Sequence, residues 1–434
     1  MFKSNRNPQF RSKFSEDIFY TKYSHEGAET FHELACTLVE DVCQDKLSKD
    51  DKEALIDHIS NLRFIPGGRY LYYAGRDKKF FNNCYLLKAE EDTREDWADL
   101  SWKSESCLMT GGGIGIDYSV YRPEGQTLKG TGGISSGPIP KMQMINSIGQ
   151  KVMQGGSRRS AIYASLNWQH DDVDKFLKAK NWFDMPVGNT GKTLFDIKQD
   201  DFNFPAPLDM TNISVNYDTE WLLNYWEKGE IGDVFRTNVR QALRTAEPGF
   251  SFNFFEKENE TLRNACTEVT SEDDSDVCNL GSLNFARIDD LNQLQEVVQL
   301  ATQFLLCGTL RASLPYEKVY KVRDTNRRLG LGLMGLHEWL IQRGHRYETT
   351  SELHRWFKVY EAESDKVARS FANQLNISVP VAVRAVAPTG TIGILAGTST
   401  GVEPIFAVAY KRRYLKNKRW HYQYVVDSAA QEMI

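Results

Sequence analysis

An amide, a thiol and a carboxylate occur at alternate positions of one short segment, as Asn264, Cys266 and Glu268. Residues two apart in an extended segment point the same way, so the three groups are predicted to share one face. A carboxylate in such a place can act as a general base, and an amide can hold and stabilise a reacting oxygen by hydrogen bonding. Because the pattern is short, three unrelated surface residues are the alternative interpretation when it is taken alone.

Two further thiols lie in apolar runs, Cys84 directly after Asn83 and Cys278 in the segment VCNLGSLN. Each of them, taken by itself, is either a reactive group or a small buried hydrophobic residue. The chain has seven cysteines but no CxxC pair and no cysteine–histidine box, so neither a disulfide scaffold nor a metal site is predicted. Cys36 and Cys43 fall on the apolar face of a predicted helix, where core packing is expected.

The segment PTGTIG, which begins at Pro388, has the composition of a phosphate-binding loop. Its small residues let backbone N–H groups approach an anion, and its threonine hydroxyls add hydrogen-bond donors. The lysine of a P-loop nucleotidase is missing from this segment. An ordinary turn is the alternative for the segment by itself.

The surrounding sequence predicts an α/β protein. Residues 1–60 have helical periodicity, and amphipathic helices are predicted over 218–246, 289–312 and 349–375. Glycine-rich segments at 111–119, 129–138 and 154–160 are predicted to be turn-rich loops that join strands to helices. Short apolar runs between them alternate with helical stretches, which is typical of α/β architecture.

In chain order, the motifs are RFIPGGRYLYYAG, NNCYLL, GGGIGI, QGGSRRSA, NACTE, VCNLGSLN, NRRLGLGLMGL and APTGTIGILAGTSTGVEP. Together they resemble the catalytic subunit of ribonucleotide reductase, and the resemblance covers roughly residues 60–413. It implies a ten-stranded α/β barrel over 61–434 with Cys266 on a central finger loop. Residues 1–60 would form a helical N-terminal region in which no ATP-cone is recognisable.

The resemblance implies radical-based reduction of ribonucleotides to 2′-deoxyribonucleotides. Cys266 would carry the thiyl radical, Glu268 would take the proton of the 3′-hydroxyl, and Asn264 would orient that hydroxyl. Cys84 and Cys278 would supply two electrons by forming a disulfide, which a thioredoxin- or glutaredoxin-like dithiol reductant would then reduce.

Binding residues are also implied by the resemblance. The residues expected to bind the ribonucleotide substrate are Asn83, Pro388, Thr389, Gly390, Thr391 and Ile392. Those expected to bind a dNTP or ATP specificity effector, beside a possible homodimer contact, are Asp92, Arg122, Ser157, Arg158 and Arg159. For Asp92, a solvated acid in the run EEDTRED is the alternative.

The radical source stays open at this point. The residues of the PGGR and GTIGILAGTSTG motifs slightly favour adenosylcobalamin, and a metal cofactor on a separate ferritin-like subunit is the alternative. Few residues follow Pro404, so the last barrel strands and the cysteine tail of the family are expected to be absent. No adjacent tyrosine pair occurs late in the chain. A catalytically silent nucleotide-binding paralogue and a simple thiol–disulfide oxidoreductase are the competing functions.

Composition excludes other classes of function. The 434 residues include 53 basic and 58 acidic side chains, a net charge of −5 that gives no general attraction to nucleic acids or anionic membranes. No secretory signal or long apolar run is visible, so a soluble cytoplasmic protein without membrane or direct nucleic-acid partners is predicted. The basic run at 411–420 is either a solvated face or a neighbour of the anionic substrate.

Overall fold

The computed structural model describes residues 10–130, 132–152, 160–405, 407–416 and 419–427. Packing divides the chain into two compact units. The first unit contains the described residues of 1–83, 278–313 and 323–434, and the second contains those of 84–277 and 314–322. Among the described residues, no helix is both long enough and apolar enough to cross a membrane.

The helices and strands are numbered here in chain order. The helices are α1 (Lys13–Lys22), α2 (Phe31–Cys43), α3 (Lys49–Ser60), α4 (Gly68–Tyr73), α5 (Arg94–Met109), α6 (Pro138–Lys151), α7 (Val173–Leu177), α8 (Leu194–Asp200), α9 (Thr219–Lys228), α10 (Asp233–Thr245), α11 (Leu291–Arg311), α12 (Glu317–Asn326), α13 (Leu336–Gln342), α14 (Ser351–Gln374) and α15 (Gly390–Ala396). The strands are β1 (Phe64–Pro66), β2 (Cys84–Lys88), β3 (Gly113–Asp117), β4 (Ile162–Asn167), β5 (Thr211–Tyr217), β6 (Gly249–Phe252), β7 (Leu262–Arg263), β8 (Thr270–Ser271), β9 (Asp276–Asn284), β10 (Leu329–Met334), β11 (Ala409–Lys416) and β12 (Arg419–Val426).

The second unit is built on a parallel sheet with the strand order β2-β3-β4-β5-β6. Its registers pair Cys84 with Gly113 and Ile114 with Ile162. Strands β2, β3 and β4 are almost entirely buried, as expected for parallel strands covered on both faces. Helices alternate with these strands along the chain, which confirms the predicted α/β class.

Two sequence predictions are wrong in this unit. The segment GGGIGI is not only a turn, because its last residues continue into the buried strand β3. The single helix predicted over 218–246 is two helices, α9 and α10. Gly229 and Gly232 separate them with positive φ angles of 66° and 74°, a conformation that glycine adopts without strain and that interrupts a helix.

The first unit contains a smaller sheet and most of the long helices. Strand β9 pairs antiparallel with β1 and parallel with β10. Helix α11 packs on α14 and α2. The helices predicted over 289–312 and 349–375 are present, and the described part of the predicted helical region 1–60 contains α1, α2 and α3. Capping explains where they begin, since Thr30 and Glu33 form a capping box on α2 and Asp290 caps α11. Cys43 is buried as predicted, whereas Cys36 is only half-buried.

Candidate functional site

Asn264, Cys266 and Glu268 lie in one tight loop, residues 264–269, which we call the tip loop. It joins β7 to β8, and these antiparallel strands pair Leu262 with Ser271 and Arg263 with Thr270. The N–H of Thr267 donates to the carbonyl of Asn264 at 2.9 Å, and Thr267 has a positive φ of 68°. The tip loop is therefore a turn, and the predicted extended alternation of its side chains is wrong.

The turn gives the three functional groups different surroundings. Asn264 is fully buried, Cys266 is exposed and Glu268 is half-buried. Asn264 Oδ1 accepts a hydrogen bond from the N–H of Val269 at 3.0 Å, which fixes the amide within the turn. The thiol thus points to the outside of the loop, while the amide belongs to its base.

Two buried polar atoms of the tip loop lack partners. Among the described residues, neither Asn264 Nδ2 nor Glu268 Oε2 has a hydrogen-bond partner. Burial raises the pKa of Glu268, and the neighbouring Asn264 amide opposes this increase without cancelling it. Leaving a donor and an acceptor buried and unpaired costs about 1–3 kcal/mol each, so a bound group that satisfies both would gain affinity there.

Glycines of β3 let the tip loop approach the sheet. A Cβ atom at Gly115 would lie 1.6 Å from the carbonyl oxygen of Arg263, and one at Gly113 would lie 3.0 Å from Cβ of Ala265. No side chain fits at Gly115 without moving one of the two backbones. The role of GGGIGI is therefore close packing as well as turning, and the packing role was not predicted from the sequence.

Arg263 anchors the stem of the tip loop to the far strand of the same sheet. Its Nε donates to Ser251 Oγ at 2.7 Å, and its Nη2 donates to Phe252 O at 3.1 Å and to Asn253 Oδ1 at 2.9 Å. Burial lowers the pKa of this guanidinium. Arg263 was not among the site residues predicted from the sequence, although it directly precedes Asn264.

Cys84 lies on the face of the sheet against which the tip loop packs. It is the register partner of Gly113 in a parallel ladder, and it is buried. Paired residues of neighbouring strands point to the same face, and Gly113 faces Ala265 of the tip loop. The structure therefore brings Cys84 to the side of the sheet that holds Asn264, Cys266 and Glu268.

Cys278 belongs to the first unit, where it is buried on β9. Its Sγ occupies space left by Gly330 of β10, because a Cβ atom there would lie 3.0 Å from that sulfur. Neither Cys84 nor Cys278 is in a disulfide. Asn83, also in the first unit, has a buried Oδ1 for which the described residues provide no hydrogen-bond partner.

The predicted phosphate-binding residues surround the start of α15. Thr389 has a left-handed φ of 45° and is nearly buried. Its Oγ1 accepts a hydrogen bond from the N–H of Gly401 at 2.8 Å. Gly390 borders open space, because a Cβ atom built there would meet nothing within 4 Å. Pro388 precedes α15, and Thr391 and Ile392 belong to its first turn.

The residues predicted to bind an effector can be located only in part. Asp92 and Arg122 form an ion pair, and the N–H of Arg122 also donates to Asp92 Oδ2 at 3.1 Å. Ser157, Arg158 and Arg159 lie outside the described residues. The two located residues are 25% and 32% exposed on their side chains, so the pair borders solvent.

The family model "Ribonucleotide reductase, barrel domain" matches residues 82–185 and 216–362, more than half of the chain. The chain belongs to the ribonucleotide reductase family. The matched ranges include Cys84 and the tip loop, so the predicted family and barrel fold are confirmed.

Curated relatives carry related names. The chain is 29% identical over 398 residues to "Vitamin B12-dependent ribonucleoside-diphosphate reductase" of Thermoplasma acidophilum, covering 83% of this chain and 50% of the relative. It is 28% identical to a protein of the same name from Mycobacterium tuberculosis (strain CDC 1551 / Oshkosh), covering 82% and 54%. A "Ribonucleoside-diphosphate reductase subunit alpha" of Chlamydia muridarum is 26% identical, covering 65% and 31%. The chain thus spans about half the length of the first two relatives, and less of the third.

A solved structure shares the fold. The "Actinobacillus ureae class Id ribonucleotide reductase alpha subunit" matches with a TM-score of 0.74 at 16% identity, covering 93% of this chain and 78% of that chain. At this identity the match supports the fold alone.

Proposed function

We propose that this chain reduces ribonucleotides to 2′-deoxyribonucleotides with Cys266 as the radical residue. The observation that carries the proposal is the tip loop, where an exposed thiol lies beside a buried amide and carboxylate with unpaired atoms. A ribose hydroxyl has one donor and one acceptor function, so it can satisfy Glu268 Oε2 and Asn264 Nδ2 together.

In the proposed reaction, the Cys266 thiyl radical takes the 3′-hydrogen atom of the ribose. Glu268 accepts the proton of the 3′-hydroxyl, and Asn264 holds that oxygen by donating from Nδ2. Loss of the 2′-hydroxyl as water follows, with its proton supplied by one thiol of the Cys84–Cys278 pair. The other thiol gives a hydrogen atom to C2′, and the pair passes one electron to the 3′-keto group as its S–S bond forms, while Glu268 returns its proton to that oxygen. The hydrogen atom returns from Cys266 to C3′ at the end, so the thiyl radical is regenerated.

Cys84 and Cys278 supply the two electrons. Their thiols give up two protons and two electrons and form one S–S bond, while the ribonucleotide becomes a deoxyribonucleotide and water. An external dithiol then restores both thiols. The position of Cys84 on the tip-loop face of its sheet supports this role for that residue.

Binding of the nucleotide completes the proposal. Asn83 and the turn from Pro388 to Ile392 would hold the substrate, and Asp92 with Arg122 would hold an effector nucleotide near a homodimer contact. The open space at Gly390 supports the first assignment. For the effector, support comes from the solvent-bordering Asp92–Arg122 pair.

The radical source remains a choice between two suppliers. Relatives named as vitamin B12-dependent enzymes favour adenosylcobalamin, and those named as alpha subunits favour a radical-generating partner. Either supplier would provide the oxidising radical that removes a hydrogen atom from Cys266. The exposed position of the Cys266 side chain fits both.

An anaerobic assay of deoxynucleotide formation tests the proposal. Each ribonucleoside di- and triphosphate is offered with a dithiol reductant, in one arm with adenosylcobalamin and in another with a radical-generating subunit. Cys266→Ser should abolish product in the productive arm, whereas Cys36→Ser, which alters a half-buried thiol of α2, should retain it. Product formation by Cys266→Ser would contradict the radical assignment. Nucleotide binding without product in every arm would instead indicate a silent regulatory paralogue.

A further inference from the structure

The segment that follows α15 is held by one buried carboxylate. Glu338 of α13 is 1% exposed. One of its oxygens accepts from the N–H of Ser399 and the other accepts from Ser399 Oγ. Both oxygens of a buried charge are thus directed at a single residue of the segment 398–401, which we call the clamp segment.

Neighbouring residues of α13 reinforce this attachment. The N–H of Gly335 donates to Ser399 O at 3.0 Å, and His337 Nδ1 accepts from the N–H of Ile405 at 2.8 Å. A Cβ atom at Gly335 would lie 2.7 Å from Thr398 Oγ1, so the clamp segment approaches α13 closely. The clamp segment is therefore fixed by several contacts, and Glu338 supplies two of them from a buried position.

The clamp segment in turn fixes Thr389. The N–H of Gly401 donates to Thr389 Oγ1, and the N–H of Thr398 donates to Gly393 O at 3.0 Å. Thr389 adopts a left-handed conformation, which is unfavourable for a non-glycine residue and persists only where the surroundings enforce it. Contacts from the clamp segment supply that constraint.

We propose that Glu338 is a positioning residue for residues 388–392, which we call the substrate-binding turn. It acts through Ser399 and the clamp segment to hold Thr389 in its binding conformation. This inference rests on the proposed function. Direct contact between Glu338 and a substrate phosphate would be repulsive, so its role is to order the turn rather than to bind the nucleotide. Its charge is already satisfied by the two Ser399 donors.

The substitution Glu338→Gln tests this with little change of shape. A carboxamide keeps one acceptor oxygen for the N–H of Ser399, and its NH₂ group can only donate to the Ser399 hydroxyl, so two charge-assisted hydrogen bonds become neutral ones. We expect KM for the ribonucleotide to rise about tenfold, with kcat within about twofold, because hydrogen bonds to a charged group are stronger than neutral ones. Ser399→Ala, which removes one of the two donors, should give a smaller rise.

Two measurements and one control variant separate positioning from general damage. Inhibition by the phosphate-free nucleoside should be unchanged, because that ligand does not use the substrate-binding turn. Hydrogen exchange should increase in peptides covering 388–405. The control Glu363→Gln alters another buried carboxylate of the same unit, which contacts Gln295 and Lys366 instead, and it should change neither KM nor exchange in 388–405.

The outcomes are distinct. If the unmodified chain makes product and Glu338→Gln has an unchanged KM, or if the nucleoside and nucleotide lose affinity equally, the positioning role is wrong while the proposed function stands. If the unmodified chain makes no deoxynucleotide with any radical source, the proposed function itself fails. A selective loss for the nucleotide, with faster exchange in 388–405, supports the inference.

Discussion

Glu268 occupies surroundings that disfavour its own charge. Its carboxylate is largely buried, one oxygen lacks a partner among the described residues, and burial raises its pKa above the ordinary value of 4.5. A general base benefits from a raised pKa, because its conjugate acid is then matched more closely to the operating pH. The same burial costs stability, since an ionised carboxylate is poorly solvated there.

The pH dependence of Glu268 follows from the direction of this shift. The base must be ionised, so kcat/KM should fall as the pH drops through a value above 4.5. Glu268→Gln should lower kcat by about 10²–10⁴-fold and remove this acid limb from the residual activity. A pH–rate profile of both proteins checks this, and a parent limb centred at or below 4.5 would count against the assignment.

Ionisation of Glu268, which should raise kcat/KM as the pH rises, should at the same time lower the stability of the folded protein. Between pH 4.5 and the raised value, the folded protein binds more protons than the unfolded chain, so burial of Glu268 destabilises the fold increasingly as pH rises. Glu268→Gln should therefore melt at a higher temperature than the parent at neutral pH and lose this advantage near pH 4. Melting curves at both pH values test the sign, and a lower melting temperature for the variant at neutral pH would contradict it.

At the scale of secondary-structure elements, the sequence could predict the chemistry of a short segment. It could not predict where one backbone segment packs closely against another. The residue types at Asn264, Cys266 and Glu268 indicated the chemistry. The turn at Thr267 depends on a positive φ, which a threonine does not predict. Likewise, a glycine such as Gly115 looks like a turn former in the sequence. Its role depends on the backbone of Arg263, which is distant along the chain.

Packing between β3 and the tip loop yields a direct test. Gly115→Ala should destabilise the protein by about 1–3 kcal/mol or more, because the added methyl collides with backbone that cannot rotate away. Activity should fall further than stability explains, since the tip loop carries Cys266. Gly133→Ala is the control, where the nearest atom to the new methyl, Leu128 Cδ1, is 3.7 Å away. Equal stability of the two variants in denaturant titrations would refute the close approach.

A lysine buried between helices α5 and α6 lowers the stability of the fold by a measurable amount. Lys141 of α6 is fully buried, and its Nζ donates to Trp97 O and Ser101 Oγ of α5. Burial lowers its pKa from 10.5 to about 8, with no opposing contribution from a carboxylate among the described residues. Below pH 8, Lys141 is therefore charged in the folded protein, and the fold carries the full free-energy cost of burying that charge.

Replacing this lysine should stabilise the fold. Between pH 8 and 10.5 the unfolded chain binds more protons than the folded one, so parent stability should rise with pH in that window. Lys141→Met should be more stable than the parent at pH 7 by up to about 3 kcal/mol, and the difference should shrink toward pH 10.5. Denaturant titrations at pH 7 and 10 measure both values. A difference that does not vary with pH would contradict the shift.

At the scale of the whole molecule, the α/β class and the family were predictable because many short motifs occur in a fixed order. The grouping of residues into two units was not, because the first unit gathers segments from three separate parts of the chain. Hydrophobic periodicity reports local elements and carries no information on which distant segments pack together. The predicted boundary at residue 60 remains a proposal.

The redox role assigned to Cys84 and Cys278 gives a prediction for the intact chain. Without external reductant, the reduced parent should make at most one deoxynucleotide per chain, because oxidation of the two thiols to one disulfide supplies only two electrons. Cys84→Ser should make none in this single-turnover experiment, while nucleotide affinity stays within about twofold. Cys107→Ser, which changes a buried thiol of α5, should behave like the parent. Repeated turnover by Cys84→Ser would rule out this pair.

Cys266 has a practical consequence as the one exposed thiol among seven cysteines, five of which are buried. Alkylating reagents modify accessible thiols far faster than buried ones. One equivalent of a maleimide should therefore label the tip loop before the rest of the molecule, and a spin label or fluorophore could be attached there without removing other cysteines. Bound nucleotide would slow that labelling, which offers a readout of occupancy that needs neither a radical source nor turnover.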